Sequence, residues 1–198
     1  MGNIEKYYEN TKEALPHKNV QKFIGMKTKV GNAIDLGCGM GRDTIFLIKN
    51  NWNVTAIDRE DTKDIIKKRL DQDELKRFKF SCQNFEDIKL EKNDLVISNF
   101  SIPYCNKDFF DEFWKKIVDS ININGYFVGN FWGINDSWSN IKNKMIFLSK
   151  EQVMELFEDF NVIDFQENEY DGKTGLGKIK HWHTYNIIAK KVIKGGTI

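Results

Sequence analysis

Cysteine is scarce in this chain of 198 residues. Cys38, Cys82 and Cys105 are an odd number, widely spaced and without a CxxC pair. That argues against a disulfide framework and a cysteine-rich zinc site, and points to free thiols in a reducing compartment. A dominant sign of charge is also missing: 30 basic residues face 29 acidic ones, for a formal net charge of +1. A dedicated nucleic-acid binder carries a basic excess, so nucleic acid is not the expected partner. No apolar run approaches the length of a membrane span, and the opening MGNIEKYYENTKEALPHKN is too charged for a signal peptide. The expectation is a cytoplasmic protein. Only Pro16 and Pro103 interrupt the chain, and there is no repeat, low-complexity tract or Pro/Ser-rich linker. One domain over residues 1–198 follows, because two halves would each be marginal.

What the chain does have is alternation. Strand-like stretches fall at 30–36, 53–58, 78–82, 94–100, 125–131, 161–170 and 181–191. Segments of helical period are expected between the first five. In KDFFDEFWKKIVDSI, Phe109, Phe110, Phe113, Trp114, Ile117, Val118 and Ile121 make one wide apolar face. A weaker helix is read from Asp61 to Leu75. Ser149 with Gln152 three residues on forms a helix-start capping box. Such alternation predicts an α/β fold, a Rossmann-like doubly wound sheet of seven strands with helices on both faces. Only TGLGK separates the last two strands, so these pair antiparallel, as a C-terminal hairpin on a mostly parallel sheet.

The stretch AIDLGCGMGR (33–42) sets Gly37, Gly39 and Gly41 at alternate positions between an apolar strand and an amphipathic segment. A dinucleotide fingerprint reads GxGxxG, but here the sixth position is Arg42, which argues against a nicotinamide-dependent oxidoreductase. Asp35 precedes the glycines. An acid there is poor company for a pyrophosphate and good company for a ligand carrying an ammonium and a sulfonium. Asp58 closes VTAID, at the strand end where a carboxylate accepts from both ribose hydroxyls. The two acids together select a nucleoside without phosphates, and S-adenosylmethionine fits, with S-adenosylhomocysteine as its demethylated product.

AIDLGCGMGRDTIFLIKNNWNVTAIDRE resembles the first two motifs of the class I S-adenosylmethionine-dependent methyltransferases. SNFSIPYCNKDFFDEFWKKI, VGNFWGINDSW and KHWHTYNIIAKK extend the likeness toward the small bacterial tellurite-resistance type, over nearly the whole chain. The resemblance implies that Asp35, Gly37, Cys38, Gly39 and Gly41 line the methionine end, and that Asp58, beside Arg59, holds the ribose. It puts Asn84 and Phe85 of SCQNFEDIKL against adenine, where the group usually has an acid, with Glu86 or Asp87 as substitutes. Asn99 and Phe100 fall nearest the reactive methyl. Residues 1–28 would form a helical lid region, with Tyr7 and Tyr8 either over the cofactor or on a helix packed against the sheet.

Methyl transfer asks mainly for alignment, worth roughly 7–11 kcal/mol, and needs a base only when the acceptor must lose a proton. Acceptor-side candidates are Tyr104, Asp136, Trp138, His181 and His183. The two histidines share a strand face, but no third ligand is near in sequence, so no metal is expected. Phe131, Trp132 and Trp138 either fill core or cage a cation. The expected acceptor is a small molecule such as a thiol or a chalcogen oxyanion. RNA or protein methylation and a non-catalytic cofactor-binding module are the alternatives.

Overall fold

In the computed structural model, Lys6, Tyr8, Asn10, Thr11 and residues 13–142 and 144–193 are described; Tyr7 lies outside the described residues. Seven strands form one sheet: β1 (Asn32–Leu36), β2 (Asn53–Asp58), β3 (Phe78–Cys82), β4 (Asn93–Ser98), β5 (Ile121–Trp132), β6 (Phe160–Lys173) and β7 (Ile179–Lys191). Their spatial order is β3-β2-β1-β4-β5-β7-β6. The pairings among β1 to β5 are parallel, whereas β7 runs antiparallel to both β5 and β6. The expected hairpin is therefore present.

Period-two alternation along the strands sends neighbouring residues to opposite faces. On one face Ala33, Val54, Ala56, Leu95, Ile97 and Val128 are covered by α1 (Lys18–Gly25), α2 (Arg42–Lys49) and α3 (Lys63–Lys67) through Val20, Phe23, Ile45, Ile48 and Ile66. On the other face Ile34, Leu36, Ile57, Val96, Phe127 and Phe131 meet Phe113, Trp114 and Ile117 of α5 (Phe110–Ser120) and Val153 of α6 (Lys150–Leu156). The apolar stripe read in KDFFDEFWKKIVDSI is the buried side of α5. Ser149 caps α6 as its sequence predicts, with Ser149 Oγ accepting from the Gln152 N–H.

Two expectations need correction. The helix read over Asp61–Leu75 is two short pieces, α3 and α4 (Gln72–Leu75), because Asp71 and Glu74 form a capping box that starts a new helix. Residues 83–92, between β3 and β4, hold no helix; only Ile88 in that stretch is buried, so no continuous apolar stripe exists to anchor one. Boundaries also move. β4 stops at Ser98, leaving Asn99 and Phe100 in the loop beyond it, while β6 and β7 run longer than read. β6 is the outermost strand, with Asp164, Glu167, Glu169 and Asp171 along it. Among the described residues, no helix is long and apolar enough to cross a membrane.

From β1 the chain moves to one side of the sheet, and from β4 to the other. The carboxyl ends of these adjacent strands form the crevice at which open α/β sheets bind their ligands.

Candidate active site

Gly37, Gly39 and Gly41 follow β1 with φ of 71°, 52° and 78°, all in the left-handed region. The reasons differ between positions. A Cβ on Gly37 would sit 2.3 Å from Ser101 Cβ, so this glycine lets the turn press against the loop after β4. A Cβ on Gly39 would meet only Tyr8 Cε1, at 3.6 Å, so its outer face stays open beneath that ring. Alanine at either position carries about 1–2 kcal/mol of left-handed strain, and at Gly37 overpacking adds about 1–3 kcal/mol. Gly37→Ala is therefore expected to melt clearly below Gly39→Ala in a thermal scan; equal midpoints would remove the packing role of Gly37.

Asp58, at the end of β2, turns its carboxylate back over the glycines. Oδ2 accepts from the Gly39 N–H at 2.7 Å, and Oδ1 accepts from the Glu60 N–H at 3.1 Å and the Tyr8 hydroxyl at 3.2 Å. Burial and the Asp58 charge together push the Tyr8 phenol far above its ordinary value. Asp35 is buried beneath the turn, where its Oδ2 accepts from Thr44 Oγ1 at 2.6 Å. Burial, reinforced by the Asp43 charge, raises its carboxyl to about 8. The Cys38 thiol is likewise raised by burial and by the charge of Asp35. Arg59 lies at the rim, 61% exposed and 3.6 Å from Glu60. Asn84 is exposed, and Phe85 stacks on Phe113 with centroids 4.5 Å apart.

Behind the turn runs a polar network that the sequence did not announce. Asp43 Oδ1 accepts from the His17 N–H at 2.8 Å, and Asp43 Oδ2 pairs with His17 Nδ1 at 2.6 Å and accepts from Asn99 Nδ2 at 3.0 Å. Asn19 and Asn130 donate to Asn99 Oδ1. Burial would raise the Asp43 carboxyl, but the bonds and charge of His17 and the Arg42 guanidinium outweigh it and hold it below its usual value. Phe100 takes a φ of 54°, pinned by its N–H donating to Asn130 Oδ1 at 2.9 Å, and its ring stacks on His17. The signals were faint. Asp43 comes two residues after the last glycine of the turn and Asn130 sits in GYFVGNF, but His17 lies 26 residues from its partner.

The acceptor-side candidates come together around β5 and β7. Tyr104, 54% exposed, sets its ring edge-on to Trp132. Trp132, Trp138 and Trp182 do form a cation cage, but its occupant is internal: Lys180 Nζ lies 4.5, 4.0 and 4.0 Å from their ring centroids. Lys180 is paired with Asp136, both side chains being at most 3% exposed. Burial holds this ammonium below the usual lysine value, against the pull of Asp136. Asp136 also accepts from the backbone N–H groups of Trp138 and His183. The two histidines share a face but not an environment. His183 is buried, with Nδ1 accepting from the Asn135 N–H and Nε2 turned to Glu167 at 3.1 Å. His181 stands at the surface between Glu169 and Asp171, whose bonds raise its imidazole. No cluster of three or more His, Cys, Asp or Glu able to hold a metal occurs among the described residues.

Solved structures with this fold include TehB from Haemophilus influenzae, 17% identical with a TM-score of 0.72, matching 88% of this chain and 62% of that one. The chain thus spans less than two thirds of that protein. The 1,6-didemethyltoxoflavin-N1-methyltransferase of Burkholderia thailandensis, with bound 1,6-didemethyltoxoflavin and S-adenosylhomocysteine, is 18% identical with a TM-score of 0.71 over 92% of this chain and 80% of its own. The N-methyltransferase NodS of Bradyrhizobium japonicum, in complex with S-adenosylhomocysteine, reaches 0.68 at 12% identity over 96% and 99%. The fold is that of the S-adenosylmethionine-dependent methyltransferases. No curated protein matches the sequence. The profile of the family described as tellurite resistance protein TehB matches residues 3–175, and the chain belongs to that family.

Proposed function

We propose that the protein is an S-adenosylmethionine-dependent methyltransferase acting on a small molecule. The observation that carries this reading is the pair of acids around the glycine turn. Asp58 is anchored by the Gly39 N–H at the end of β2, and Asp35 lies buried beneath. The Asp58 carboxylate repels a pyrophosphate, and Asp35, raised to about 8, favours a cationic nucleoside by giving up its proton as that ligand binds. Asp58 receives the ribose hydroxyls, which displace the Tyr8 hydroxyl from Oδ1, so Tyr8 acts as a lid, whereas α1, also within the residues 1–28 expected to form one, is a core helix buried through Val20 and Phe23. Gly37, Cys38, Gly39 and Gly41 face the methionine end, Asn99 and Phe100 the methyl, and Phe85 with Asn84 or a neighbouring acid the adenine. Tyr104 and Trp138 shape the acceptor side. The S-adenosylhomocysteine bound in structural neighbours supports the cofactor, and the toxoflavin precursor bound in one supports a small acceptor. Three free thiols fit a reducing compartment, the cytoplasm.

Calorimetry tests the cofactor. Binding of S-adenosylmethionine and S-adenosylhomocysteine without NADH is expected, and retention of NADH alone would overturn the reading. Asp58→Ala should weaken cofactor binding by about 1.5–3 kcal/mol, the loss of a charged hydrogen bond. Labelled methyl transfer into thiols, tellurite, selenite, amines and RNA identifies the acceptor; transfer into RNA alone would replace the small-molecule assignment.

A further inference from the structure

We infer that the methyl acceptor is a flat, neutral heteroaromatic molecule, methylated on a ring nitrogen and held through a second acceptor atom by the Trp132 indole N–H. The inference deepens the methyltransferase reading above and rests on it. Trp132 closes β5 at 1% exposure, and among the described residues its Nε1 is a buried donor without a hydrogen-bond partner. Buried donors are nearly always paired, so an orphan beside the ligand crevice marks the place where a ligand atom completes the bond. The neighbouring rings set the shape of that ligand. Trp132 meets Tyr104 edge to face, and Trp182 meets Phe100 in the same way. Phe100 and Tyr104 both follow β4, on the side of the crevice assigned to the methyl group. Flat walls take a flat ligand.

Charge excludes the anions. Lys180, the cation among these rings, is 3% exposed, paired with Asp136 and enclosed by three indoles. Arg42 donates to the His17 ring that stacks on Phe100. A tellurite, selenite or thiolate ion would exchange its hydration for ring faces whose negative quadrupole repels it. Proton balance then selects the nucleophile. His183 Nδ1 accepts from the Asn135 N–H, so the ring proton is assigned to Nε2, facing Glu167. Both ring nitrogens of His17 are engaged, by Asp43 and by Arg42. Asp136 serves Lys180 and two backbone N–H groups. None of these groups is free to take a proton from the acceptor, which therefore has none to lose: its nucleophile is a pyridine-type nitrogen. The nitrogen lone pair forms the N–CH3 bond while the S–CH3 bond breaks and leaves its electron pair on sulfur. The positive charge passes from sulfonium to ring nitrogen and no proton is released. The product is a cation of the kind that aromatic faces stabilise.

Labelled methyl transfer by the purified full chain tests this with five probes. Nicotinamide has a ring nitrogen and an amide oxygen, isoquinoline has the nitrogen alone, and tellurite, selenite and benzenethiolate are anions. Transfer is expected to the two ring nitrogens and not to the anions. Trp132→Phe keeps a ring and removes the donor. It should raise KM for nicotinamide by about 2- to 10-fold and leave KM for isoquinoline unchanged, while S-adenosylhomocysteine affinity stays at the wild-type value and shows that the variant is folded. Equal rises for both ring substrates would make Trp132 a packing residue and overturn the hydrogen bond. Transfer to an anion in preference to the rings overturns the acceptor class. So does transfer to none of the five while S-adenosylhomocysteine binds; failure to bind it removes the methyltransferase reading as well.

Discussion

Asp136→Ala is expected to be the most damaging single substitution outside the apolar core. It strands the Lys180 ammonium, 3% exposed, among three indole faces that stabilise a cation but do not replace its counter-ion. Removing one partner of a buried pair typically costs about 3–5 kcal/mol, or roughly 6–20 °C in midpoint for a domain of this size. Two backbone N–H groups lose their acceptor at the same stroke. The double variant Asp136→Leu with Lys180→Met removes both charges and should recover much of that loss, since apolar replacement of a whole pair is often neutral. A thermal scan of the single and double variants decides the matter. If Asp136→Ala melts like the wild type, the pair does not hold the β5–β7 corner together.

The second large effect concerns Asp35. Its carboxyl is raised to about 8 by burial and the Asp43 charge, so an ionised Asp35 burdens the ligand-free fold. An acid raised on folding contributes its full stability below its unfolded value near 4. That contribution is lost progressively as pH rises through about 8. Asp35→Asn should therefore melt above the wild type at pH 8.5 and level with it near pH 4, while keeping an acceptor for Thr44. Cofactor binding responds with the opposite sign. A sulfonium and an ammonium nearby favour the ionised form, so S-adenosylmethionine should bind more tightly as pH rises toward 8 and should release a proton below that value. Calorimetry in buffers of different ionisation enthalpy measures that release. Asp35→Asn should abolish the release and weaken binding by about 1–3 kcal/mol, the worth of one charge several ångströms away at an effective dielectric near 20. An unchanged pH slope in the variant would place the titrating group elsewhere.

Local chemistry made the turn and the sheet legible. Strand alternation, the three glycines, the two strand-end acids and the Ser149 cap each declare themselves within a few residues, and each is found where the sequence puts it. The break between α3 and α4 was equally local: Asp71 and Glu74 spell a capping box that a single helical reading of 61–75 passes over. The polar network is different in kind. His17 meets Asp43 across 26 residues, and Asn19 meets Asn99 across 80, so only the folded topology brings these side chains together. The tryptophans illustrate the same limit. The spacing of Trp132 and Trp138 allows either core or cage, and the deciding group, Lys180, lies more than forty positions further along the chain, on β7.

The outer strand of the sheet carries one more implication. Fourteen residues of β6 present one unpaired row of main-chain donors and acceptors, a template for recruiting a foreign strand. Four acids spaced along that rim, Asp164, Glu167, Glu169 and Asp171, make a second copy an unwelcome neighbour, because its own carboxylates would face them across the new ladder. Lys22, Lys150, His181 and His183 partly neutralise this row. Among the described residues no helix covers this border, and its acids discourage edge-to-edge aggregation.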